Sequence, residues 1–116
     1  MSYAQEKLYQ AIHALAASSA PMKERLRSAF LCFSGLREES FPAGSSTGKD
    51  FRSLHARLTR VAAQHDEGTA AATINQMDDQ ELREVASTIV DIYSALNDEL
   101  ADARVREAQK NAGRKP

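Results

Sequence analysis

Gly44-Ser45-Ser46-Thr47-Gly48-Lys49 is the one stretch of this chain whose residue types could cradle a phosphate. A nucleotide-binding loop of that kind keeps four residues between its glycines and a hydroxyl after its lysine. Backbone N–H groups then wrap the phosphates while the hydroxyl reaches magnesium. Here three residues separate the glycines, Asp50 follows the lysine, and no buried strand precedes. The Asp50 carboxylate would also repel a phosphate. The segment reads as a polar surface loop built from turn-favouring residues, and no cofactor is expected.

Metal ligation finds equally little to work with. Helical metal sites set glutamate and histidine three apart on inward faces, and neither Glu-x-x-His nor His-x-x-x-His occurs. His55 and His65 are ten residues apart, about 80° out of register on a helix. His65-Asp66-Glu67 forms a local cluster at an expected helix end, where a histidine complements the dipole. Cys32 is the single cysteine; lying between the core positions Phe30 and Phe33, it reads as a half-buried, inert thiol. His13, beside Ile12, reads as a boundary residue. No catalytic or metal-binding residue is assigned, and the chain is not expected to be an enzyme. Catalysis would need a site assembled between helices.

The charged faces carry more. Lys49, Arg52 and Arg60 fall along one side of an expected helix, with Arg57 adjacent, and these cations could contact phosphates. The preceding helix adds Arg25 and Arg27. No aromatic residues interleave with them to stack bases, and the net charge is only −1. A solvated face complementing an acidic helix is the simpler reading, with nucleic-acid association as the alternative function. Charge is blocked along the chain: nine basic and five acidic residues up to His65, one and ten from Asp66 to Asp102, then five and one. Glu84, Asp91 and Asp98 recur at sevens, a carboxylate row that could draw a basic partner, though a solvated face is again simpler.

The elements that must position these groups are helical. With 116 residues, 42% hydrophobic, abundant alanine, few aromatics and no tryptophan, the chain suits one domain of closely packed helices. The alanine-rich composition suggests a bacterial origin. The amino terminus lacks the apolar core of a signal peptide, and no apolar run approaches membrane-spanning length. A lone cysteine suits a reducing compartment. A cytoplasmic protein without a membrane partner is expected.

Ser2 and Gln5 form a capping-box pattern, and Leu8, Ile12 and Leu15 mark a first helix from Tyr3 to Ala17. Pro21 restarts the chain, and Met22, Leu26, Phe30 and Phe33 mark a second. Gly35 could close that helix in a left-handed conformation, but Leu36 continues its phase, favouring a helix to Glu39. Phe41-Pro42 must break it. After the flexible-looking segment from Ala43 to Lys49, a third helix is expected from Asp50 to His65, burying Phe51, Leu54, Leu58, Val61 and Ala62. Gly68 would end it. A short helix from Ala70 to Gln76, capped by Thr69, turns Ile74 and Met77 inward.

Asp78 and Glu81 then open the longest helix, to about Arg106, with Leu82, Val85, Ile89, Ile92 and Leu96 in steps of three and four. The reading is an all-α compact bundle of four main helices plus one short helix, with a long C-terminal helix. Residues 1–106 form a single domain and residues 107–116 a frayed basic C-terminal tail. The last helix, about 43 Å at 1.5 Å per residue, should outreach its neighbours of about 22 to 28 Å. Leu96, Leu100, Ala103 and Val105 in the overhang would be exposed unless a second copy or another protein covers them. The expected function is a small intracellular interaction or regulatory module, with a protein partner and a homodimer through the C-terminal half of that helix as the leading version.

Overall fold

Helix α1 (Tyr3–Ala16) starts where Ser2 places it. In the computed structural model, which describes residues 1–63 and 68–112, the Gln5 N–H donates to the Ser2 hydroxyl at 3.2 Å. The Gln5 carbonyl oxygen accepts from the Ser2 N–H at 2.8 Å. Two orphan amides are thereby satisfied reciprocally. The Gln5 amide also donates to Asn97 at 2.7 Å, fastening the start of α1 to the last helix. At the other end Arg25 donates to the Leu15 and Ala20 carbonyls, both at 2.8 Å, and so holds the corner between α1 and α2.

Helix α2 (Met22–Phe33) stops well short of Glu39. The longer helix is corrected, and so is the left-handed closure at Gly35: among the described residues only Gly44 and Gly68 have positive φ. The Leu36 N–H instead donates to the Phe33 carbonyl at 3.0 Å, and a 3-10 turn follows at Glu38–Ser40. The reason is the aromatic core. The chain must fold back for Phe41 to lie 5.1 Å from Phe51. Six more helical residues would carry it about 9 Å along the axis instead. Leu36 and Phe41 are both buried as a result.

Helix α3 (Ser46–Leu58) begins four residues before the expected Asp50 and ends seven before His65, which lies outside the described residues. Ser45 caps it, its hydroxyl accepting from the Gly48 N–H at 3.2 Å, so half of the expected flexible loop is helix. At the far end the Thr59 hydroxyl donates to the His55 carbonyl at 2.8 Å, and the Thr59 N–H tightens onto Ala56. Such back-bonding competes with helix continuation. The Val61 N–H then donates to the buried Thr73 hydroxyl at 3.0 Å, pulling the chain off the helix axis. Arg60 therefore follows the helix, Val61 is only half-buried and Ala62 is exposed.

Helix α4 (Thr69–Asn75) is preceded by Gly68 at φ +84°, which opens α4 and is not shown ending α3. A side chain would be strained in that left-handed conformation. Thr69 is the first helical residue, not the cap. Ile74 and Met77 turn inward as expected.

Helix α5 (Asp79–Ala112) is 34 residues long, about 51 Å. Asp78 caps it, its carboxylate accepting from the Glu81 N–H at 2.8 Å. Leu82, Val85, Ile89, Ile92 and Leu96 are buried along one stripe, against which α1, α2 and α3 pack. At the centre Phe33 meets Phe30 and Phe51 edge-on at 5.6 and 5.7 Å. The fold is an all-α bundle with a long C-terminal helix, and no strand occurs among the described residues.

Helix α5 continues through residues 107–112, where glutamate, alanine, glutamine and lysine favour helix without tertiary support. Asp102 and Arg106 also stand four apart in the favourable order. The rest of the expected tail, residues 113–116, lies outside the described residues. The molecule measures 64 × 27 × 22 Å. None of the described helices is long and apolar enough to cross a membrane.

Candidate interaction surfaces

The end of α5 sorts the four residues expected to share an interface. Leu96 is 1% exposed, which removes it from any free surface. Leu100 is half-buried against the core, while Ala103 and Val105 are exposed. Leu96 is covered because α1 and α3 both start at this end of the bundle, one beside Asn97 and the other beside Glu99. Helix lengths taken alone could not reveal that alignment. Val105 also leaves the stripe: five residues turn a helix through 500°, placing it about 140° around from Leu100. The register facing the core passes through Ala103 to Glu107 and Lys110. The inner seam therefore ends at Leu100, and residues 101–112 project with every position exposed.

Where the seam ends, Glu99 reaches sideways to the first turn of α3. Its carboxylate accepts from the Thr47 hydroxyl at 2.8 Å, the Thr47 N–H at 3.4 Å and the Ser46 hydroxyl at 3.3 Å. Thr47 is fully buried. The positive end of a helix attracts anions, and α3 receives its anion from the same chain. The Gly44–Lys49 segment thus presents a helix start already occupied by a carboxylate. Nothing in the sequence marks Glu99, which reads there as one more acid on an acidic helix.

Glu99→Ala is expected to cost about 1–3 kcal/mol, since it leaves the buried Thr47 hydroxyl only its 3.2 Å contact with the Ser45 hydroxyl and removes the charge from the helix end. Urea unfolding would measure it. Glu99→Gln should restore part of the loss, because its amide oxygen can still accept. An alanine variant as stable as wild type would contradict this role.

The basic face is largely paired. Arg57 meets Glu84 at 2.9 Å, Arg60 meets Glu81 at 3.0 Å, and Arg52 lies 3.7 Å from Glu38. Lys49 is exposed. The first two pairs join α3 and the residues after it to the opening turns of α5. Exposed pairs contribute little to stability, yet a phosphate would have to displace these carboxylates. The Arg57 guanidinium, helped by the Gln80 amide, holds the Glu84 carboxyl below its usual value. A lowered folded value means this small contribution is present above the unfolded pKa and is lost as pH falls through the folded one. Within the acidic row, Glu84 is thus engaged, while Asp91 and Asp98 stay exposed.

Cys32 is half-buried and packed against the core, and His13 is exposed. His55 stands among aromatic rings, 5.7 Å from Phe30 and 6.2 Å from Phe51. Among the described residues no three histidine, cysteine or acidic side chains converge as metal ligands; His65, Asp66 and Glu67 lie outside those residues. The depressions are open. One of about 550 Å³ runs between Leu36, Arg37, Phe51, Arg52 and His55, and one of about 360 Å³ between Phe30, Leu31 and Ala70.

Two apolar exposures escape sequence reasoning. Leu31 is 74% exposed, out of phase with its buried neighbours. Tyr9 packs 6.2 Å from Tyr93 yet keeps half its surface open beside α5. Comparison with protein-family models, characterised proteins and solved structures gave no match for this chain.

Proposed function

We propose that this chain is a small helical interaction module that self-associates through the C-terminal part of α5. One observation carries the reading: the last three turns of α5 form a helix that nothing among the described residues covers. An uncovered helical rod is a surface for another helix to pack along. The partner is a second copy, and the lone half-buried cysteine fits a reducing, cytoplasmic setting. Nucleic acid is the lesser reading, because Arg57 and Arg60 already meet carboxylates of α5.

Light scattering at high micromolar concentration tests the proposal. The expected mass is twice the 12.7 kDa of one chain, falling to one chain when the sequence is cut after Leu100. A full-length chain that stays at the single mass would overturn the reading.

A further inference from the structure

The boundary between α3 and α5 is closed at both ends by complementary groups. At one end the Glu99 carboxylate accepts from the Ser46 and Thr47 hydroxyls; at the other Arg57 meets Glu84 and Arg60 meets Glu81. Between them lies an open depression of about 370 Å³, to which α3 gives Asp50, Ser53 and Leu54 and α5 gives Asp91, Ile92 and Ala95. Leu54 and Ile92 are buried and make an apolar floor, while Asp50, Ser53 and Asp91 are exposed at the rim. The groups that meet at the two ends are donor and acceptor. Here two carboxylates line one depression from opposite helices, and neither is ion-paired among the described residues.

The crossing contacts set α3 and α5 antiparallel, so Asp50 stands about level with Ala95, and Asp91 lies one turn, about 5 Å, further along. Carboxylates so placed repel each other, and a cation held between them is attracted by both. The cations of α3 do not serve. Lys49 and Arg52 stand about 100° and 160° around the helix from Asp50. Arg57 shares its side of α3 but is committed to Glu84 at 2.9 Å. A bare metal ion would use the carboxylates and leave the floor uncovered. A cation on a hydrocarbon stem uses both, its methylenes lying on apolar surface and its head reaching the rim. A guanidinium carries donors on two edges of a plane and can reach carboxylates one turn apart, whereas an ammonium concentrates its charge at one point.

We infer that this depression takes an arginine side chain from a basic segment of a partner protein, its stem on Leu54 and Ile92 and its guanidinium between Asp50 and Asp91. The surrounding charge fits such a partner. From Asp66 to Asp102 the chain carries ten acids and one base. Asp98 and Asp102, both exposed, continue the acidic flank within about 20° of Asp91 around α5. That field draws a basic segment to this side and weakens with added salt. The site lies on the bundle and away from the projecting end of α5, so it stands or falls apart from self-association.

Two tripeptides test it on the full chain: acetyl-Ala-Arg-Ala-amide, and the same peptide with citrulline, which keeps the stem and shape of arginine without its charge. Amide NMR is expected to show saturable, millimolar binding of the arginine peptide, with shifts centred on Ser53, Leu54, Asp91 and Ile92, and no binding of the citrulline peptide. Asp50→Asn and Asp91→Asn together should weaken it about tenfold. Both residues are exposed, so folding is preserved, and the same spectra check that. Equal binding of the citrulline peptide, or a double variant that binds like wild type, would overturn the inference. Shifts spread evenly over Asp91, Asp98 and Asp102 would reduce the effect to the general field of α5 and overturn the site. Spermidine seated there more tightly than the arginine peptide would overturn the protein partner in favour of a free polyamine. No shift at high millimolar peptide would overturn the whole.

Discussion

Replacing Phe33 by alanine is expected to remove about 3–5 kcal/mol of stability, the usual cost of emptying a buried phenyl site. A domain of this size has only about 5–15 kcal/mol in total, so the variant should sit near the edge of folding. Phe33 is fully buried and stands edge-on to both Phe30 and Phe51, while Phe51 in turn packs on Phe41. The vacancy would open where α2, α3 and the returning Phe41 segment meet. Thermal unfolding followed by circular dichroism checks the expectation. A melting temperature indistinguishable from wild type would show that the aromatic cluster is not the centre of the core.

The second large effect separates the inner seam from the outer face. Leu96→Ala should cost about 2–5 kcal/mol, as for other buried leucines, whereas Val105→Ala should change monomer stability by less than about 0.5 kcal/mol. Leu96 is 1% exposed and Val105 is 55% exposed, although both belong to one helix. Chemical denaturation at low protein concentration, where association does not contribute, distinguishes the two. Equal losses would mean that the bundle extends past Leu100.

The period of α5 is legible because five large apolar residues in steps of three and four admit only one periodicity, and Asp78 announces its start. The caps at Ser2 and Asp78 are legible for the same local reason. What the sequence does not reveal depends on distant residues. Helix α2 ends early because Phe41 must reach Phe51, and α3 ends early because Thr73, twelve residues beyond Val61, accepts its N–H. The start of α3 at Ser46 is supported by Glu99, far along the chain. Of the expected interface, the protruding end is foreseeable and its contents are not. Helix lengths misplace Leu96, because they do not show that α1 and α3 begin level with Asn97 and Glu99. The pairing of the basic face with the acidic helix is legible, since the charge blocks are visible in composition alone.

The order of helices along the chain has a consequence for synthesis. Helix α5 supplies Leu82, Val85, Ile89, Ile92 and Leu96 to the core, so although α1 and α2 pack on each other, the side of the core that α5 covers stays open until those residues emerge from the ribosome. The core is then only partly covered through the later part of translation, a state prone to association with other nascent chains. The bundle therefore forms only once α5 has been made, and chains stalled before about Leu96 should be substrates for chaperones and proteases.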